Sequence, residues 1–273
     1  MCCKQNIPFF VPTGPVNGGE STKSRFWALG VSFDTTVLPK HIFDTHWCIV
    51  LETPVCLITE FLEISFINYI LDTIHIIEFF RVTVRLGDLN LDPNVTDGSE
   101  PIDIPISQIM VHEQYNEKQS YINDIALLKL EKSVIFNELI QPICLPVLSH
   151  HRSNKLLDSA PFVAGWGSES LKGPLSSVLM EIQVPVIDNA ECKRAYYYSK
   201  KIIIDDRIIC AGSGEKDACH GDSGSPLMWP SGSQYYLVGV VSAGFNCGVP
   251  EYPGVYTRVS YFVDWIVDKM NNS

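Results

Sequence analysis

From Arg81 onward the chain is divided into short strand-like runs by glycine, proline, asparagine and aspartate, and this punctuation limits the fold more than any other feature. Residues Val82–Leu86, 104–111, 125–130, Phe162–Gly165 and 236–241 each read as a strand. In 261–270 the period changes. Phe262, Val263, Ile266 and Met270 fall at helical spacing, which predicts a closing amphipathic helix. The back two-thirds therefore reads as an all-β unit with a terminal helix, and pattern alone leaves barrel and sandwich both open. Eighteen glycines and 17 prolines, spread widely, fit many tight turns rather than a helical bundle. The 273 residues suffice for one large domain or two modest ones.

The front differs in kind. No Lys or Arg lies between Lys40 and Arg81, and no Gly between Gly30 and Gly87. Residues 49–80 are crowded with Ile, Leu and Phe, yet carry Glu52, Glu60, Glu63, Asp72 and Glu78. Acids at mid-helix cost about 2.5–3.5 kcal/mol each in a membrane, so this stretch leaves no window of roughly 20 apolar residues for a span. The chain is expected to divide into an aberrant segment, 1–80, whose residues 49–80 look foreign, and a main domain, 81–273.

Twenty basic against 31 acidic residues give a net charge of −11, which argues against nucleic-acid binding, since phosphates demand clustered Lys and Arg. Nine cysteines, none in a CxxC pair, point to disulfides rather than structural zinc. Asn94-Val95-Thr96 and Asn271-Asn272-Ser273 are glycosylation sequons. An extracellular, secreted protein is expected, although no apolar run of signal-peptide length follows Met1-Cys2-Cys3-Lys4.

The stretch that carries chemistry is Asp217-Ala218-Cys219-His220-Gly221-Asp222-Ser223-Gly224-Ser225-Pro226. A serine flanked by glycines can sit on a tight turn whose amides converge on one point, as an oxyanion hole requires. With its context this stretch resembles the GDSGGP motif of the chymotrypsin/trypsin family of serine endopeptidases, and especially the arthropod clip-domain group. The resemblance covers about residues 81–269. Further motifs recur in order: Arg85-Leu86-Gly87-Asp88, Asn123-Asp124-Ile125-Ala126-Leu127-Leu128, Gln141-Pro142-Ile143-Cys144-Leu145-Pro146, Ala164-Gly165-Trp166-Gly167 and Pro253-Gly254-Val255-Tyr256-Thr257-Arg258-Val259.

The resemblance implies a trypsin-like double β-barrel with a C-terminal helix, the first barrel being incomplete or aberrant. It implies Ser223 as nucleophile, the amides of Gly221 and Ser223 as oxyanion hole, and Asp124 as the buried carboxylate that orients a catalytic imidazole. Asp222 matches the acid that receives a new N-terminal amine after zymogen cleavage. Asp217, six residues before Ser223, matches the base of the specificity pocket, with Ser242, Gly244 and Gly254 as substrate-binding positions. The implied disulfides are Cys192–Cys210 and Cys219–Cys247. Cys144 matches a position that bridges to a propeptide segment, with Cys2 or Cys3 as possible partners.

The family pattern breaks at the histidine. It expects Thr-Ala-Ala-His-Cys, and nothing in 1–80 spells it. In the order His, Asp, Ser the formal candidates are His41, His46, His75 and His112. His75 stands 49 residues before Asp124, close to the spacing of about 45 in the template, but its setting is Asp72-Thr73-Ile74-His75-Ile76. His112 is too close to Asp124, and His220 is expected on the cleft rim. Gly14-Pro15 stands before Val16-Asn17-Gly18-Gly19, where an activating Arg or Lys and then Ile or Val are expected. Ser225 replaces the second Gly of GDSGGP, and Ala243 the usual Trp of Ser-Trp-Gly.

The expected function is that of a secreted zymogen cleaving after Arg or Lys through an acyl-enzyme. Its expected partners are protein substrates and macromolecular protease inhibitors, with neither nucleic acid nor membrane. The alternative is an impaired homologue that binds partners in a proteolytic cascade. No cofactor is expected. Asp88, Asn90 and Glu100 faintly resemble the family's calcium loop, although calcium takes six to eight oxygens.

Overall fold

The computed structural model describes residues 29–33, 46–47, 49–52 and 55–58 as strands, then 82–272 apart from 117–119, 149–155, 158, 213 and 215. Two seven-stranded antiparallel sheets dominate. The first contains β1 (Leu29–Phe33), β2 (His46–Trp47), β3 (Ile49–Glu52), β4 (Val55–Ile58), β5 (Val82–Leu86), β6 (Ile102–Val111) and β7 (Ala126–Leu130), in the order β2-β1-β5-β6-β7-β4-β3. Its end strands, β2 and β3, are separated by Cys48 alone. One residue spans about 3.8 Å, so the two ends of the sheet must meet and the sheet curls back on itself.

The second sheet is built in the same way. It contains β8 (Phe162–Gly165), β9 (Met180–Gln183), β10 (Val186–Ile187), β11 (Ile208–Ala211), β12 (Pro226–Ser231), β13 (Gln234–Ala243) and β14 (Gly254–Arg258). The order is β10-β11-β14-β13-β12-β8-β9. Its ends, β9 and β10, are joined by Val184 and Pro185 only. Helix α1 (Asn189–Ala195) starts where the Asp188 carboxylate accepts the Ala190 amide, and helix α2 (Val259–Asn272) closes the chain. The fold is trypsin-like, and the terminal helix lies where its spacing predicts.

β7 explains how the two sheets meet. Ala126, Leu128 and Leu130 enter the core of the first sheet with Val84, Leu86, Ile104 and Ile140. Ile125 and Leu127, on the opposite face, pack with Met228, Leu237, Val240 and with Val259, Phe262 and Ile266 of α2. A period of two with both faces covered yields the unbroken apolar run of 125–128. Asp124, immediately before it, is thereby placed at the seam between the sheets.

Strands β1 and β4 attach 29–58 to this frame. Leu29–Phe33 pairs with Leu86 through Val82, and Val55–Ile58 with Lys129 through Ala126. Residues 59–81, including His75, lie outside the described residues, as do His41, Cys2 and Cys3.

Candidate active site

The nucleophile loop is shaped by its glycines and clamped by the sheet. Gly221 and Gly224 hold φ of +88° and +81°, left-handed backbone that suits glycine. A Cβ on Gly221 would also stand 2.4 Å from Leu175 Cδ2. Within the loop, the Asp222 amide donates to Cys219 O and the Ser225 amide to Asp222 O, each at 2.9 Å. The Gly224 amide donates to Val241 O and the Val241 amide to Ser225 O, also at 2.9 Å, which locks the turn onto β13. The Cys219–Cys247 disulfide joins the same loop to the segment after β13, and Cys192–Cys210 ties α1 to β11, so both implied pairings are formed.

Ser223 opens onto a cavity of about 350 Å³ that Asp217, His220, Gly221, Ser242, Gly244 and Gly254 also line. The expected nucleophile, oxyanion-hole glycine and specificity positions thus surround one space. Asp124 reaches it indirectly. It is fully buried, its Oδ2 accepts the Ser242 hydroxyl at 2.6 Å, and its backbone carbonyl accepts Thr257 Oγ1 at 2.7 Å. Asn123 before it adopts φ +59°, a conformation asparagine tolerates better than most residues, and its side chain bonds to Gln114 O and Arg207. The dual part played by Ser242, pocket wall and donor to Asp124, has no local sequence signal.

Asp217 lines the same cavity. Burial pushes its pKa up to about 6, opposed by a Gly248 amide that donates to Oδ2 at 3.2 Å. Its buried Oδ1 has no hydrogen-bond partner among the described residues. Cβ atoms on Gly254 and Gly212 would fall 2.8 and 2.9 Å from that oxygen, so both glycines are required by close approach. Around Gly244 a Cβ would meet nothing within 4 Å, which leaves the mouth open. Tyr256, missed by sequence reasoning, also lines the cavity and is fully buried, its hydroxyl likewise unpaired among the described residues.

Asp222 does not line the cavity that Ser223 lines. Its carboxylate accepts the amides of Gly167 and Cys219, both at 2.9 Å, while desolvation raises its pKa. It borders a second cavity of about 540 Å³, which Glu181, Asp217, Cys219 and Cys247 also line. The two cavities share a wall formed by 217–219, Leu171 and Cys247.

The remaining candidates lie elsewhere. His220 is exposed on the rim. His112 packs its ring against Phe262 and Trp265 of α2, at 5.4 and 5.1 Å between centroids, and desolvation lowers its pKa. Cys144 is buried in the second sheet's core. Asp88 is buried beside Arg85, 3.5 Å away, and accepts the Asn90 amide. Among the described residues no group of three or more His, Cys, Asp or Glu is arranged to hold a metal ion.

Comparison with known proteins places these features in context. The family model described as Trypsin matches residues 67–266. A venom protease of Bombus pensylvanicus is 51% identical over 183 residues, 66% of this chain and 72% of its own length. Venom serine protease Bi-VSP of Bombus ignitus is 47% identical over 207 residues, 74% and 57% of the two chains. CLIP domain-containing serine protease HP8 of Bombyx mori is 39% identical over 197 residues, 68% and 53%. The chain thus spans little more than half the length of the last two relatives.

Proposed function

Because the chain belongs to the trypsin family of serine endopeptidases, alongside arthropod venom and CLIP-domain members, we propose that it hydrolyses protein substrates after Arg or Lys. In this reading Ser223 Oγ attacks the scissile carbonyl while an imidazole takes its proton, the amides of Gly221 and Ser223 hold the oxyanion, and the amine leaves with that proton. Water then releases the acyl group by the reverse sequence. Asp124, held by Ser242, orients and stabilises the imidazole, for which His75 is the candidate. The reaction needs no cofactor.

One observation carries the specificity. The desolvated carboxylate of Asp217, with an unpaired buried oxygen, lines a cavity that Ser223 also lines. A guanidinium or ammonium entering there would satisfy the charge, and losing one partner of such a buried pair costs roughly 2–5 kcal/mol. The test is hydrolysis of Arg-, Lys- and Phe-amide substrates by the full chain. Arg and Lys cleavage that Ser223→Ala abolishes is expected; equal cleavage after Phe would overturn the role of Asp217.

Asp222 supports a zymogen reading. Its carboxylate, bordering the rear cavity, is available to a new terminal ammonium released by proteolysis, and such a cascade protease would be restrained by macromolecular inhibitors. An extracellular site of action fits the two disulfides, and no described helix is long and apolar enough to cross a membrane.

A second reading, an impaired homologue acting by binding, is favoured by one observation. β4 ends at Ile58 opposite Ala126, beside Asp124, and the next histidine in the chain is His75, 17 residues on. Loss of the base alone costs about 10⁶-fold in turnover by the subtilisin precedent. His75→Ala separates the readings: it kills hydrolysis in the first and changes nothing measurable in the second.

A further inference from the structure

Ser225 stands where the family motif has glycine, and its hydroxyl is unused by the mechanism above. The residue is fully buried, and Oγ has no hydrogen-bond partner among the described residues. A buried hydroxyl without a partner is costly, so such a group calls for an acceptor within reach. One fitting acceptor is on its own turn. A Cβ built on Gly165 would stand 3.2 Å from Ser225 Oγ and 1.8 Å from Asp222 Oδ1, which places the two oxygens within about 5 Å of each other. The backbone already couples the two residues through the Ser225 amide and Asp222 carbonyl.

The lone pairs of Asp222 leave room for this hydroxyl. A carboxylate offers about four acceptor sites, and the amides of Gly167 and Cys219 take one on each oxygen. Two sites remain in a desolvated pocket whose charged neighbour is Asp217, another acid. We propose that Ser225 is a positioning residue for Asp222: its hydroxyl donates to the carboxylate, holding it charged and oriented while the last acceptor site stays open for a cation. The pair closes by rotation of the serine about χ1, with the carboxylate held by its two amides. The cation would be the terminal ammonium of the zymogen reading, on which only this last step rests.

The test is a double-mutant cycle on unfolding of the full chain at pH 7.5, with Ser225→Ala, Asp222→Asn and the double variant. Ser225→Ala is expected to lower the melting temperature of the otherwise unaltered chain by clearly more than it does once Asp222→Asn has replaced the charged acceptor with a neutral amide. Titration of the Asp222 carboxyl by NMR is the second readout. Ser225→Ala and Ser225→Gly should each weaken its acidity by about tenfold, a change that lost packing alone would not produce. Additive melting shifts, or an unmoved titration, would overturn the proposal. Neither readout needs hydrolysis, so an inactive chain would count against the proposed function and leave this inference standing on its own result.

Discussion

At the residue scale, the function rests on acids held out of water. Asp217 has a folded pKa near 6 against 3.8 for a free carboxyl, so the folded state binds its proton more tightly than the unfolded one. Between those two values stability falls as pH rises, and above pH 6 the ligand-free chain carries the full cost of the charge. Asp217→Asn is therefore expected to stabilise the chain at pH 8, by on the order of 2 kcal/mol, and to change its stability little below pH 4. The same substitution should abolish cleavage after Arg. Denaturation scans at the two pH values check the first point and an Arg-amide assay the second. For Ser242→Ala, loss of the 2.6 Å bond to Asp124 should cost about 1–3 kcal/mol and lower kcat more than it raises KM. Asp217 and Ser223 were legible from their motif. The Ser242 bond was not, since it joins residues 118 apart.

At the element scale, α2 is fastened to the end of β6 through the residues that follow it. Trp265 Nε1 donates to Glu113 Oε2 at 3.0 Å, Lys269 pairs with the same carboxylate, and His112 lies against Phe262 and Trp265. The Lys269 pairing, chiefly, holds the Glu113 pKa down to about 2. Its contribution is complete above pH 4.5 and is lost as pH falls toward 2. Glu113→Gln should therefore remove part of the acid sensitivity of unfolding between those values, which a pH series of melting curves reads directly. The helix itself was legible from the spacing of Phe262, Val263 and Ile266. β1 to β4 were not: β1 and β2 precede 49–80, and 49–80 itself holds no glycine and a single proline, Pro54, sparser punctuation than that which marks strands elsewhere. Strands β1 and β4 are defined by pairing with β5 and β7, partners far along the chain.

At the scale of the whole molecule, two curled sheets meet at β7 and α2, and the candidate residues described around Ser223 lie on the loops and strand ends near that seam. The disulfides clamp the second sheet's side of it. Closed loops of 18 and 28 residues contribute about 3–4 kcal/mol each in the chain-entropy account. Reduction is expected to lower the melting temperature by several degrees and to cut activity further by freeing the Ser223 loop, as melting curves with and without a reductant would reveal. We also propose that residues 49–80 are foreign to the natural protein, a reading motivated by their missing Lys, Arg and Gly, although 49–52 and 55–58 pair into the first sheet as β3 and β4. Sequencing the mature transcript across codons 12 to 85 decides it: a Thr-Ala-Ala-His-Cys strand in their place supports the active protease, and their retention favours the binding homologue. By itself the sequence determined what depends on near neighbours, namely the short strands, the closing helix, the glycine-framed serine and the motif positions of the acids. Only the tertiary structure decided that Ser242 and Thr257 hold Asp124, that Gly212 and Gly254 make way for Asp217, and that a buried Ser225 hydroxyl lies near Asp222. Turn chemistry and side-chain period act over a few residues, whereas these contacts arise when each sheet curls until its ends meet.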